Sequence, residues 1–199
     1  MLLGHKGRCF DIRVDGSGEY AVSASEDGTS RVFHLDSKAC RSTLLHNKDA
    51  EVLRAAFVPS SSSHRIVTCG SDSKAILWTA DDEFKFEKTY QLVHLADQIY
   101  TCELIPHRHS SLLTAADECL YIWDLERRVD EPLSCVPMSP INSTQPFGGH
   151  RNPESKAFIF DGKFAPNNSL CGMEGNAFAL ALSDGMSRTP NDCSTTFLI

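Results

Sequence analysis

The residues best equipped for chemistry in this 199-residue chain are its eight histidines, eight cysteines and clustered carboxylates. His107 and His109 lie two apart in a polar turn. That spacing could touch a metal ion, but no third ligand stands beside them, so a solvated loop pair is expected. The cysteines fall at positions 9, 40, 69, 102, 119, 135, 171 and 193, with no Cys-x-x-Cys pair, which argues against a zinc site or a disulfide framework. Several lie inside apolar runs such as Ile66-Val67-Thr68-Cys69, where a buried reduced thiol serves as a small apolar filler. Asp81-Asp82-Glu83 and Asp117-Glu118 are acidic neighbours, yet adjacent residues on extended chain point to opposite faces and cannot converge as acid and base. There is no Gly-x-Ser-x-Gly elbow, Gly70-Ser71-Asp72-Ser73-Lys74 lacks phosphate-loop spacing, and Gly172-Met173-Glu174-Gly175 is not a dinucleotide fingerprint. No catalytic residue, metal ligand or cofactor is expected, which leaves hydrogen bonding and binding as the chemistry on offer.

The elements that must position such groups read as strands. Phe10, Ile12 and Val14 alternate with polar residues, Asp15-Gly16-Ser17-Gly18 supplies a turn, and Tyr20 to Ala24 resumes an extended run. Glu26-Asp27-Gly28 closes a second tight turn before Ser30 to Leu35, and Cys40 to Leu45 completes a set of four. The order recurs twice, ending in Phe86 to Val93 and in Leu133 to Met138. Phe33, Trp78 and Trp123 stand in equal steps of 45 residues, each with an aspartate six positions earlier: Asp27, Asp72 and Asp117. A period near 45 residues is the length of one four-stranded propeller blade. Pro132, Pro137, Pro140 and Pro146 imply a long irregular connection after the third unit. A fourth unit then opens at Gly149-His150 and reaches Asp184, but position 190 is Pro190 where an aromatic is due, and residues 186–192 show no strand alternation.

These motifs resemble the WD-repeat β-propeller family. Gly4-His5 and Gly149-His150 are similar to its Gly-His dipeptide, Trp123-Asp124 to its Trp-Asp dipeptide, and Ser23-Ala24-Ser25-Glu26-Asp27-Gly28 to the hairpin before it. The separations His5 to Phe33, His46 to Trp78 and His94 to Trp123 are 28, 32 and 29 residues, similar to the spacing in that family. The resemblance implies an all-β fold: a partial β-propeller of about three complete four-stranded antiparallel blades plus part of a fourth, with the ring not closed. Blade one spans about 4–45, blade two 46–93, blade three 94–140 and the partial fourth 149–185, with 186–199 a non-repeat tail. It also implies a buried relay of turn aspartate, loop histidine, strand hydroxyl and strand tryptophan. In blade two these are Asp72, His46, Thr68 or Ser71, and Trp78; in blade three, Asp117, His94, Thr114 and Trp123. A buried indole N–H, imidazole and carboxylate each cost free energy unless paired, so a closed relay satisfies all of them. Phe33 has no N–H, so blade one must lose the last link.

A formal charge of −7 and the lack of a basic stripe disfavour nucleic acid or an anionic membrane as the main partner. The longest apolar run, Ala177 to Leu182, is far short of a bilayer span, and the N-terminal residues resemble no secretory signal, so a cytoplasmic or nuclear location is expected. The resemblance implies a non-catalytic scaffold for proteins or peptides, suited to be a subunit of a multiprotein complex, and a shortened product of a longer propeller protein. Arg8, Glu51, Arg54, Gln98 and Tyr100 lie between each loop histidine and the first strand and form the candidate binding surface. Two alternatives are weaker. A receptor for a cullin-type ubiquitin ligase would carry Trp-Asp-x-Arg, whereas Trp123-Asp124-Leu125-Glu126-Arg127 places arginine one residue late. A propeller hydrolase would need polar ligands converging from several blades of a closed ring.

Overall fold

A computed structural model describes residues 2–59, 64–93, 98–105, 108, 110–116, 119–127, 129, 131–137, 159–164, 178–182 and 187–188. Four short antiparallel strands in sequence order make the first sheet: β1 (Cys9–Val14), β2 (Tyr20–Ser25), β3 (Thr29–His34) and β4 (Ala39–Leu45). Turn chemistry joins them. Asp15 accepts from the backbone N–H groups of Ser17 and Tyr20, while Gly18 and Gly28 take left-handed φ values of 79° and 77°. The order repeats in β5 (Val52–Val58), β6 (Arg65–Gly70), β7 (Lys74–Ala80) and β8 (Phe86–Val93), and in β9 (Ile99–Leu104), β10 (Ser111–Ala116), β11 (Cys119–Asp124) and β12 (Ser134–Pro137). A fourth sheet holds β13 (Ile159–Phe164), β14 (Phe178–Leu182) and β15 (Ser187–Arg188). The first strands β1, β5, β9 and β13 follow one another side by side, so the sheets fan out as blades of an all-β arc that does not close into a ring.

One detail of register marks the four sheets as copies. In each, the pairing of the first strand with the second shifts after its first residue: between Cys9 and Asp11, Val52 and Arg54, Ile99 and Thr101, and Ile159 and Asp161. The extra residue, Phe10, Leu53, Tyr100 or Phe160, is a β-bulge at one recurring place. Cys9, Val52 and Ile99 therefore occupy one register position, Ile12, Ala55 and Cys102 another, and Ser23, Thr68 and Thr114 a third.

The core lies between blades. Val22, Ala24, Val32 and Leu44 on the trailing face of blade one pack against Val52, Ala55, Ile66, Ile76 and Trp78 on the leading face of blade two. Val67, Cys69, Ala75, Leu77 and Leu92 of blade two meet Ile99, Cys102, Leu112 and Trp123 of blade three in the same way. Blade two is thus apolar on both faces and packs between its two neighbours, as a repeat unit does.

Three expectations need correction. A two-residue strand, β15, pairs with β14 beyond residue 185, where no strand was expected; its Ser187 and Arg188 join through backbone hydrogen bonding and need no side-chain alternation. Pro137 ends β12, an outermost strand whose free edge tolerates a missing donor, and does not belong to the irregular connection. Cys69 and Cys102 are buried fillers, but Cys9, Cys40 and Cys135 are exposed, because they sit on the uncovered face of blade one or on outermost strands.

Candidate functional site

Beneath the rim where the first strands begin, blade two holds a closed relay. Trp78 Nε1 donates to Thr68 Oγ1 at 2.9 Å, Thr68 Oγ1 lies 2.8 Å from His46 Nδ1, and His46 Nε2 lies 3.0 Å from Asp72 Oδ1. With its proton on Nε2, His46 donates to Asp72 and accepts from Thr68, so every hydrogen runs in one direction from indole to carboxylate. Thr68, and not Ser71, supplies the hydroxyl; Ser71 Oγ instead accepts the backbone N–H of Glu51 at 3.0 Å. Asn47 Nδ2 donates to the other Asp72 oxygen at 2.9 Å. Burial pushes the Asp72 carboxyl up, but hydrogen bonds from His46 and Asn47 and the charge of Lys74 outweigh it and hold the group well below the ordinary carboxylate range.

Blade one builds the same corner from His5, Ser23 and Asp27, with Nδ1 on Asp27 at 3.0 Å and Nε2 on Ser23 at 2.6 Å. Thr29 Oγ1 and the Lys6 backbone N–H also donate to Asp27, at 2.6 and 2.8 Å. Burial raises the Asp27 carboxyl, and donors from Thr29, Lys6 and His5 together pull it well below its usual value. Phe33 adds no link. In blade three Trp123 Nε1 donates to Thr114 Oγ1 at 2.8 Å, while His94 and Asp117 lie outside the described residues.

A histidine, a carboxylate and a hydroxyl in sequence match a hydrolase triad by residue type. Here the hydroxyl accepts an indole proton, and Thr68 is fully buried, so it faces no substrate. The relay instead fixes the loop that carries the rim. Its anchoring extends between blades, since the His46 backbone N–H donates to the Gly28 carbonyl at 3.1 Å.

The expected surface residues separate into two groups. Arg8, Glu51 and Gln98 each stand one residue before β1, β5 and β9, side by side on the rim. Arg8 is exposed, doubly bonded to Glu26 at 3.0 and 3.2 Å, and lies 5.9 Å from the ring centre of Phe10. Tyr100 is the bulge residue of β9, equivalent to Phe10 and Leu53. Arg54 belongs elsewhere: its guanidinium donates to the Leu53 carbonyl at 2.9 Å and reaches Asp161 of β13 at 3.6 Å, inside the arc. Sequence reasoning misses Glu26, Phe10 and Leu53; Phe10 and Leu53 become rim residues only through the bulge, which leaves no mark in residue type.

Polar groups inside the arc bind one another across blades. Arg13 of β1 grips Glu103 of β9 through both terminal nitrogens, at 2.9 and 2.8 Å, and donates to Asp11 at 2.9 Å. Thr101 of β9 donates to Asp161 at 3.2 Å. At the opposite rim a cavity of about 670 Å³ opens beside Arg13, Phe57, His64 and Glu103. Among the described residues no three His, Cys, Asp or Glu side chains converge as a metal site.

Four sheets of one register, the first two held at a corner by a histidine-aspartate-hydroxyl relay, define an open propeller arc. Residues 1–34, which hold the first three strands of blade one, match the family model described as WD domain, G-beta repeat. The chain is 26% identical over 129 residues, or 64% of its length, to the protein named TBC1 domain family member 31 of Homo sapiens. It is 30% identical over 80 residues, 40% of its length, to the protein of that name in Bos taurus. Against Cilia- and flagella-associated protein 52 of Chlamydomonas reinhardtii, identity is 35% over 81 residues, 41% of the chain. The matched stretches span only 12%, 7% and 12% of those relatives. The chain is built of repeated antiparallel blades.

Proposed function

We propose that this scaffold binds peptides or other proteins along the rim formed by the residues just before each first strand and by the bulge residues beside them. One observation carries the reading: Arg8, Glu51 and Gln98 occupy a single repeat position in successive blades, with Phe10, Leu53 and Tyr100 two residues on. Side chains of mixed charge over a row of apolar and aromatic groups suit an extended peptide laid across the blades. The relays beneath supply preorganisation, because a loop already fixed loses little entropy on binding. No catalytic group takes part.

A displayed peptide library selected against the 199-residue chain tests the rim. Arg8→Glu and Glu51→Lys, both substituting side chains outside the relay, are expected to weaken selected peptides about tenfold, equal to ~1.4 kcal/mol, without moving the unfolding midpoint. Peptides that bind both variants as tightly as the parent would place recognition elsewhere on the scaffold.

A further inference from the structure

Strand pairing in blade three brings together two cysteines that lie 16 residues apart in the chain, at 119 and 135. In the register of β11 with β12, Tyr121 stands opposite Cys135 and Cys119 opposite Pro137. Cys119, Tyr121 and Cys135 therefore share one sheet face, with the two cysteines diagonal to each other. The Tyr121 hydroxyl is in hydrogen-bonding contact with both thiols. Its ring is held in place, packed on the core between blades two and three and stacked on Trp123 at 6.2 Å between ring centres, and Trp123 is itself tied to Thr114. Cys135 is exposed on an outermost strand and Cys119 is half-buried, so small solutes can reach the pair. The other described cysteines differ. Cys69 meets Cys102 inside the core with neither exposed, Cys40 meets the Ser42 carbonyl and the Thr43 hydroxyl, and Cys9 stands opposite Ser25.

Two thiols and a phenol on one face make a soft ligand set. Diagonal partners in a sheet have Cα atoms about 7–8 Å apart, too far for a disulfide unless the backbone moves. An ion held between two sulfurs spans more, because metal–sulfur bonds of about 2.3 Å set the sulfurs roughly 4–5 Å apart. Thiolates select soft ions, and structural zinc takes four ligands, whereas among the described residues no third His, Cys, Asp or Glu joins this pair. Monovalent copper is satisfied by two thiolates. We propose that Cys119 and Cys135 bind a copper(I) ion as a two-thiolate site, with Tyr121 as a positioning residue that donates a hydrogen bond to a ligating sulfur. Each thiol gives up its proton as the ion binds. Burial and the adjacent thiols push the Tyr121 phenol up to about 12, so it remains an O–H donor beside a thiolate.

Anaerobic titration of the reduced 199-residue chain with copper(I), against a coloured copper(I) chelator, measures the affinity. Alkylation of the loaded chain with iodoacetamide, followed by peptide mass analysis, identifies the ligands. One equivalent of copper(I) is expected to lower labelling of Cys119 and Cys135 together about tenfold, while the exposed Cys40 labels as before. Zinc(II) at the same ratio should protect neither. Cys135→Ser, a near-isosteric change at an exposed position, should abolish the one-equivalent site with the fold intact. Tyr121→Phe keeps the ring on Trp123 and should weaken copper(I) binding about tenfold while leaving the unfolding midpoint in place. Labelling of Cys119 and Cys135 that copper(I) leaves unchanged overturns the proposal. So does parental affinity in Cys135→Ser, or protection by zinc(II) equal to that by copper(I); parental affinity in Tyr121→Phe removes the positioning role.

Discussion

Thr68 Oγ1 is the hinge of the blade-two relay, because it takes the indole proton of Trp78 and contacts His46 Nδ1 at the same time. Thr68→Val keeps the shape and removes both links, leaving two buried polar groups without partners. The expected cost is about 2–4 kcal/mol in urea unfolding. Ser23→Ala in blade one loses the histidine link and a longer 3.4 Å contact to the Arg31 carbonyl but no indole link, since Phe33 offers no donor, and is expected to cost about 1 kcal/mol. The carboxylates give the relays a pH dependence. Asp72 and Asp27 titrate lower in the folded chain than in the unfolded one, so their stabilisation is complete above the unfolded value near pH ~4 and is lost as the pH falls toward the folded values. Asp72→Asn should therefore be less stable than the parent at pH 7, and the difference should shrink in chemical denaturation below pH ~4. A difference that stayed constant down to pH ~2 would contradict the assignment.

Turns connect these residues to their strands, and two glycines with nearly the same backbone angle separate strain from contact. Gly18 has φ of 79° and nothing within 4 Å of where a Cβ would stand, so Gly18→Ala is expected to cost about 1 kcal/mol of left-handed strain. Gly28 has φ of 77°, and a Cβ there would meet the Asn47 carbonyl oxygen at 2.1 Å. Its own carbonyl holds the His46 backbone, so neither chain can yield, and Gly28→Ala should cost about 2–4 kcal/mol with a correspondingly lower thermal midpoint. Strand order, the aromatic register and the blade-two relay are legible in the sequence, because period-two alternation, turn residues and the Asp72-to-Trp78 spacing are local signals. The bulge is not. Phe10, Leu53 and Tyr100 share no residue type and fall at unequal steps of 43 and 47, and a bulge is a property of pairing between strands. Arg54 reads as a rim residue for the same reason: without the bulge its side of the strand is hidden.

Across the whole molecule, the bonds inside the arc follow a different rule from the apolar core. Core contacts join neighbouring blades, whereas Arg13 to Glu103 and Arg54 to Asp161 each pass over one blade. Arg13→Met would leave Asp11 and Glu103 facing each other in a largely buried site, an expected loss of about 3 kcal/mol, and Arg13→Met combined with Glu103→Met should recover most of it. Urea unfolding of the single and double variants measures both. Long-range pairs of this kind leave no trace in a sequence read one unit at a time. Their consequence concerns how the array comes apart. A stack of repeats linked only to nearest neighbours behaves as a one-dimensional chain that frays from either end. Here second-neighbour terms tie blade one to blade three and blade two to blade four, so loosening one end withdraws support from a unit two steps inward. Hydrogen exchange should then find β1 and β9 opening as a single cooperative unit in the parent, and as separate units once Arg13 is replaced.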